Sequence, residues 1–184
     1  MTLEEKGLDY EVFEEDLSDL SPAILSLHPE GKVPLLIHDG FPIHESSIIT
    51  EYLDEAFPKP VLRPATARGL AVMRLWTYWC NELFKPDLDA FKYPKAEVCD
   101  AENAALLERL QEHLKKLAVP LSRAPYLLGP DLTLADIHLF PFYRQILKAR
   151  PNAPELLRPA SVLDEWLNRI TSRPSFERVM KKRI

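Results

Sequence analysis

Residues 58–65 read PKPVLRPA, three prolines in eight positions, and this density constrains the chain more than any other stretch. Each proline fixes φ and removes an amide donor, so neither a helix nor a sheet ladder runs through the segment. It reads as a linker between a front portion, residues 1–57, and a back portion, residues 66–184.

The front portion is mixed. DYEVFEEDL (9–17) alternates through Tyr10 and Val12, with Phe13 beside them, and predicts a strand. Val33–His38 and Phe41–His44 flank Asp39-Gly40, a pair favoured where both central residues of a tight turn need positive φ, and predict a hairpin. SSIITEYLDEAF then sets Ile48, Ile49, Tyr52, Leu53 and Ala56 at helical spacing, which predicts a helix with a serine cap.

Beyond residue 65 the periodicity is helical throughout. Leu70, Met73, Thr77, Cys80, Phe84 and Leu88 form one stripe; Leu106 or Leu107, Leu110, Leu114, Leu117 and Leu121 form a second. Pro86 predicts a kink in the first of these helices, through the hydrogen bond denied to the Glu82 carbonyl. In DLTLADIHLF, Thr133 and Asp136 have capping-box spacing, and Leu132 and Ile137 are placed as a hydrophobic staple. Val162, Leu163, Trp166, Leu167 and Ile170 mark a further helix, and PSFERVMKK a short last one. A small α/β unit followed by an all-helical unit is the architecture this pattern predicts.

With 46% hydrophobic and 28% charged residues, the 184-residue chain can bury one sizeable core or two small ones. A net charge of −5 argues against nucleic acid, which needs a basic stripe to displace counterions. The basic RVMKKRI end is read instead as a last helical turn set against the helix dipole. Cys80 and Cys99 are the two cysteines, without metal-ligand spacing, and are read as reduced thiols of a cytoplasmic protein that holds no metal. No apolar run approaches the roughly 20 residues of a membrane span, and no export leader is visible.

Candidate ligand-binding residues concentrate in GKVPLLIHDGFPIHESSII (31–49). A cis Val33-Pro34 bond would turn the Val33 N–H and C=O outward to pair with an extended peptide; a trans proline at the start of a strand is the alternative. Glu45-Ser46 stands where the hairpin gives way to a helix N-terminus, so the pair could hold the ammonium and carboxylate of an amino acid; a plain serine cap beside a solvated acid is the alternative. Lys32 is either a cation for a second carboxylate or simply exposed. Together the three features describe a receptor for a short peptide with an amino-acid head and a carboxylate tail, which is the layout of glutathione.

EEKGLDYEVFEEDL, HPEGKVPLLIHDG and ESSIITEYLDEAFP resemble the thioredoxin-like domain of the glutathione transferase family, and YLLGPDLTLADI resembles its helical domain. The resemblance covers nearly the whole chain. It implies that Ser46 and Glu45 hold the γ-glutamyl end, Val33 before a cis Pro34 pairs with the cysteinyl backbone, and Lys32 meets the glycyl carboxylate. It further implies a homodimer and a hydrophobic electrophile received near Trp76, Tyr78 and Trp79, a detoxification chemistry with glutathione as cosubstrate. Thr133 and Asp136 are read as folding residues and Cys80 as an inert core thiol.

One departure stands out. In the family a Tyr, Ser or Cys near the end of a first strand activates the glutathione thiol, and this sequence, starting MTLEEKG, offers no position that inherits the role, so no catalytic residue is assigned. That strand would lie between the 9–17 strand and the hairpin, so its absence predicts unpaired edges and an N-terminally truncated domain. A glutathione-dependent thiol oxidoreductase and a non-catalytic interaction module are the alternative functions.

Overall fold

Asp39 and Gly40 adopt φ of 51° and 77° in a computed structural model of the chain, the two positive values a tight hairpin turn requires. The structure describes residues 1–94, 100–150 and 152–181. Cys99, read above as a reduced thiol, and the last three residues of the basic C-terminal end lie outside them. The chain divides into two compact units, Met1–Val61 and Leu62–Ile184.

In the first unit, α1 (Thr2–Glu5) and α2 (Pro22–Leu27) precede strands β1 (Leu35–His38) and β2 (Phe41–His44), and α3 (Ser46–Ala56) follows. The strands pair antiparallel with Leu36 opposite Ile43 and His38 opposite Phe41. Ile43, Ile49 and Leu53 form the core, with Leu3, Leu8, Leu36, Tyr52 and Phe57 packed around them. Lys6 is buried outright. Its ammonium meets Asp54 at 2.7 Å and donates to the carbonyls of Phe57 at 2.7 Å and Pro60 at 2.8 Å, which pins the end of α1 to α3 and to the turn behind it.

The predicted strand over 9–17 does not form. A strand exists through its ladder bonds, and among the described residues the sheet consists of β1 and β2 alone. Side chains tie the segment down instead: Tyr10 donates to Glu4 at 2.7 Å, and Glu15 accepts from the Ser21 amide and hydroxyl. Val12 and Phe13 are left exposed. The serine cap of α3 is also corrected, since Ser46 is the first helical residue and Glu45 occupies the cap position.

The second unit is helical, with α4 (Ala67–Trp79), α5 (Lys85–Lys92), α6 (Asp100–Leu121), α7 (Leu134–Lys148), α8 (Ala153–Leu157), α9 (Ser161–Thr171) and α10 (Pro174–Met180). Thr66 caps α4 by accepting the Gly69 amide at 3.0 Å, and a Cβ on Gly69 would lie 2.5 Å from that of Pro64, so glycine is required there. The irregularity expected at Pro86 takes the form of a wide π-turn, Cys80–Phe84, in which the Lys85 amide reaches the Cys80 carbonyl five residues back. Pro86 sits just after it, in the first turn of α5, where a missing amide donor costs least.

Leu106, Leu110, Leu114, Leu117 and Leu121 of α6 are all buried, as their spacing predicts. Asp136 is a junction rather than a cap alone. Its carboxylate accepts four bonds at 2.9 Å, from the Thr133 amide and hydroxyl, the Leu127 amide and the Trp166 indole, joining α7 to α9 and to the preceding loop. Burial pushes this carboxyl up, and the four donors work against that shift.

Candidate functional site

Glu45 holds φ of 67° and ψ of 115°, a region that side-chain-bearing residues avoid at a cost of about 1–3 kcal/mol. Such strain persists only where the surroundings impose it. The preceding hairpin and the buried Ile49 and Leu53 of α3 fix the chain on both sides, and the kink at Glu45 is the joint between them. No described side chain caps α3, so the amides of its first turn stay available beside the exposed Ser46 hydroxyl. An uncapped helix N-terminus carrying a hydroxyl, next to an exposed carboxylate, suits a group bearing both charges of an amino acid.

The Val33-Pro34 peptide bond is cis, as is Lys59-Pro60 in the turn that Lys6 holds. Val33 is exposed, and among the described residues no hydrogen bond engages its amide or carbonyl, so the amide can donate to, and the carbonyl accept from, an extended ligand backbone. The Lys32 ammonium forms an ion pair with Glu30. That contact raises the lysine and holds the Glu30 carboxyl below its ordinary range; Glu45 raises Lys32 further, more weakly. Lys32, Val33, Pro34, Glu45 and Ser46 are all solvent-facing residues of the first unit.

Two histidines under this surface escaped sequence reading. His28 is buried, and its ring centroid lies 4.7 Å from that of His44. One donor atom from each of His28, His44 and Glu45 falls within 4.8 Å of the others. Metal binding by the trio is opposed by its hydrogen bonding: His28 Nδ1 accepts the Glu30 amide at 3.1 Å, which puts the ring proton on Nε2 and leaves that nitrogen without a lone pair to give. His28 serves the turn into Gly31 instead, and HPEG contains the signal: a short side-chain acceptor two residues before the amide it binds.

Of the aromatic trio in the second unit, Trp79 is buried, Trp76 half-buried and Tyr78 63% exposed. Trp79 stacks on Phe84 at 5.5 Å with 8° between the planes, meets Trp76 and His113 edge-on, and lies 4.8 Å from the Lys116 ammonium. Trp76 and Trp79 are therefore in one cluster, and Tyr78 faces elsewhere. His113 belongs to the same cluster through its ring contacts with Trp79 and Phe84, and its Nε2 lies 3.1 Å from Asp87, which also takes two bonds from Arg109 Nε and one from Nη2. Cys80 is 1% exposed, and burial pushes its thiol up to about 12.

The family models for the glutathione S-transferase N-terminal and C-terminal domains match residues 1–61 and 75–174. The chain belongs to the glutathione S-transferase family. It is 32% identical over 146 residues to the stringent starvation protein A homolog of Pasteurella multocida, a match spanning 77% of this chain and 65% of that protein. It is 35% identical to glutathione S-transferase U19 of Arabidopsis thaliana, across 78% of this chain and 64% of the plant protein. Both matches thus span a little under two thirds of the relative's length. The solved glutathione transferase of Burkholderia graminis, with two glutathione molecules bound per subunit, superposes with a TM-score of 0.83 at 25% identity, covering 100% of this chain and 82% of that one. The thioredoxin-like and helical halves of the transferase fold thus correspond to the two units, and among the described residues no helix is long and apolar enough to cross a membrane.

Proposed function

We propose that this protein binds glutathione through its first unit and acts as a glutathione transferase, joining the glutathione thiol to a hydrophobic electrophile received by the helical unit. The strained Glu45 at the uncapped start of α3, with the Ser46 hydroxyl beside it, carries the reading. Ser46 and the free amides take the γ-glutamyl carboxylate, Glu45 the ammonium, the Val33 backbone beside Pro34 the cysteinyl amide, and Lys32 the glycyl carboxylate. Trp76, Tyr78 and Trp79 are the proposed electrophile residues, with half-buried Trp76 and exposed Tyr78 the accessible members. No residue is assigned to thiol activation.

The oxidoreductase alternative calls for an N-terminal cysteine, a role separate from Cys80, whose thiol is raised to about 12 and supplies almost no thiolate near neutral pH. A non-catalytic interaction module is the second reading, beside a relative whose name is not that of a transferase, the stringent starvation protein A homolog. Titration calorimetry with glutathione on Ser46→Ala tests the site. Loss of a hydrogen bond to a charged group costs about 1.5–3 kcal/mol, roughly a ten- to hundredfold weaker binding. Affinity unchanged within a factor of two would remove Ser46 from the site.

A cytoplasmic homodimer is the proposed state. Support comes from Phe41 and Ile37 on the hairpin and from Val72 and Leu75 on α4, all exposed and apolar. Light scattering at micromolar concentration is expected to give twice the chain mass; a monomer would overturn the assignment.

A further inference from the structure

Of the three lysines and arginines on α6, two are committed to carboxylates. Arg109 is held by Asp87 through three bonds, and Lys115 by Glu112 at 2.6 Å. Lys116 has Glu112 four residues before it, the spacing and order that favour an ion pair on a helix. Glu112 nevertheless goes to Lys115, and the Lys116 ammonium lies over two indoles instead, 4.8 Å from the ring centre of Trp79 and 5.7 Å from that of Trp76. Among the described residues no carboxylate or other acceptor engages it. An aromatic face attracts an ammonium without neutralising it, so this cation is still open to an anion.

The two indoles differ in access. Trp79 is buried, with Phe84 stacked on it and Trp76 and His113 edge-on, so a ligand ring has no way onto it. Trp76 is half-buried and keeps part of its surface in solvent. A planar apolar surface and an uncommitted positive charge therefore stand within 5.7 Å of each other.

We infer that the electrophile this protein prefers is an electron-poor aromatic acid, its ring against Trp76 and its carboxylate on Lys116, and that Lys116 is the residue that sets this preference. The inference rests on the reading of Trp76 as an electrophile residue and narrows the substrate class from any hydrophobic electrophile to an acidic aromatic one. Both halves of the pair are needed for the choice. An electron-poor ring, the kind a thiolate attacks, stacks well on an electron-rich indole. A neutral ring would use the indole and leave the ammonium idle, and a cationic one would be repelled by it.

Equilibrium dialysis of the full chain against 4-nitrobenzoate and 4-nitrobenzamide, two rings of nearly one shape with no leaving group, isolates the charge. The benzoate is expected to bind at least fivefold more tightly, by a ratio that shrinks as salt rises. Lys116→Met, at an exposed position and with a good helix former, should bring the ratio close to one while leaving the benzamide unchanged. Lys116→Arg should keep most of the preference, and Trp76→Leu should weaken both probes. Glutathione affinity, measured alongside by calorimetry, should be the same in Lys116→Met as in the unmodified chain. Equal binding of the two probes, a ratio unchanged in Lys116→Met, or a changed oligomeric mass in that variant, which would make the lysine a contact between copies, overturns the inference. Probe binding indifferent to Trp76→Leu overturns it together with the electrophile reading of Trp76. A chain that keeps the charge preference but binds no glutathione upholds the inference and overturns the proposed glutathione site alone.

Discussion

Removing the Asp136 carboxylate should cost the helical unit most of its stability, and the size of the loss follows from its four bonds. Asp136→Ala leaves the Leu127 amide and the Trp166 indole N–H in the interior without an acceptor, at about 1–3 kcal/mol each. Loss of the Thr133 cap adds about 1 kcal/mol. The sum is about 3–7 kcal/mol, against the 5–15 kcal/mol typical of a whole domain. Asp136→Asn separates the contributions. Leu127 and Trp166 share Oδ1, so an asparagine oxygen there satisfies both, and its amide nitrogen then faces the Thr133 amide, whose bond is lost. The threonine hydroxyl can reverse and accept, which limits the asparagine penalty to about 1–2 kcal/mol. Urea unfolding followed by tryptophan emission reports on this unit specifically, since Trp76, Trp79 and Trp166 all belong to it. An alanine variant within 1 kcal/mol of the asparagine variant would refute the reasoning, because the two buried donors would then not be the source of the cost.

Two further outcomes concern the first unit. Glu45→Gly should stabilise it by about 1 kcal/mol through release of the positive φ while weakening glutathione binding; a lower urea midpoint would show that the conformation carries no strain. Lys6→Met should cost about 3–5 kcal/mol by removing the buried cation paired with Asp54, and adding Asp54→Leu should recover part of that; a double variant melting no higher than the single would assign the loss to the Phe57 and Pro60 carbonyls instead.

The Asp39-Gly40 turn, the α6 leucines and the Thr133–Asp136 pair were legible because each is decided by neighbours a few positions away. Lys6 was not: in LEEKGL it looks like any surface lysine, and its burial is set by acceptors at 54, 57 and 60. The strand over 9–17 failed for the converse reason, since alternation describes one side of a pairing and cannot supply the other. At the site, Lys32, Val33, Pro34, Glu45 and Ser46 could be named from spacing and resemblance, but not that Glu30 already engages Lys32 or that Glu45 has a positive φ, an unusual conformation for a glutamate. His28 and His44 are sixteen residues apart in sequence before the hairpin brings their rings together.

The wide turn at Cys80–Phe84 works as a register shift. In an uninterrupted α-helix, residues five apart point to different faces, yet Trp79 and Phe84 lie ring on ring. Continuous α-helical winding at the same length would carry Phe84, Leu88 and Phe91, all now buried, about 100° around the axis, whereas deleting one residue between Trp79 and Phe84 would leave them four apart on one α-helical face. Apolar side chains on either side of the turn share one interior because the turn absorbs a single extra residue, so the winding across positions 79–84 sets which face the following helix buries.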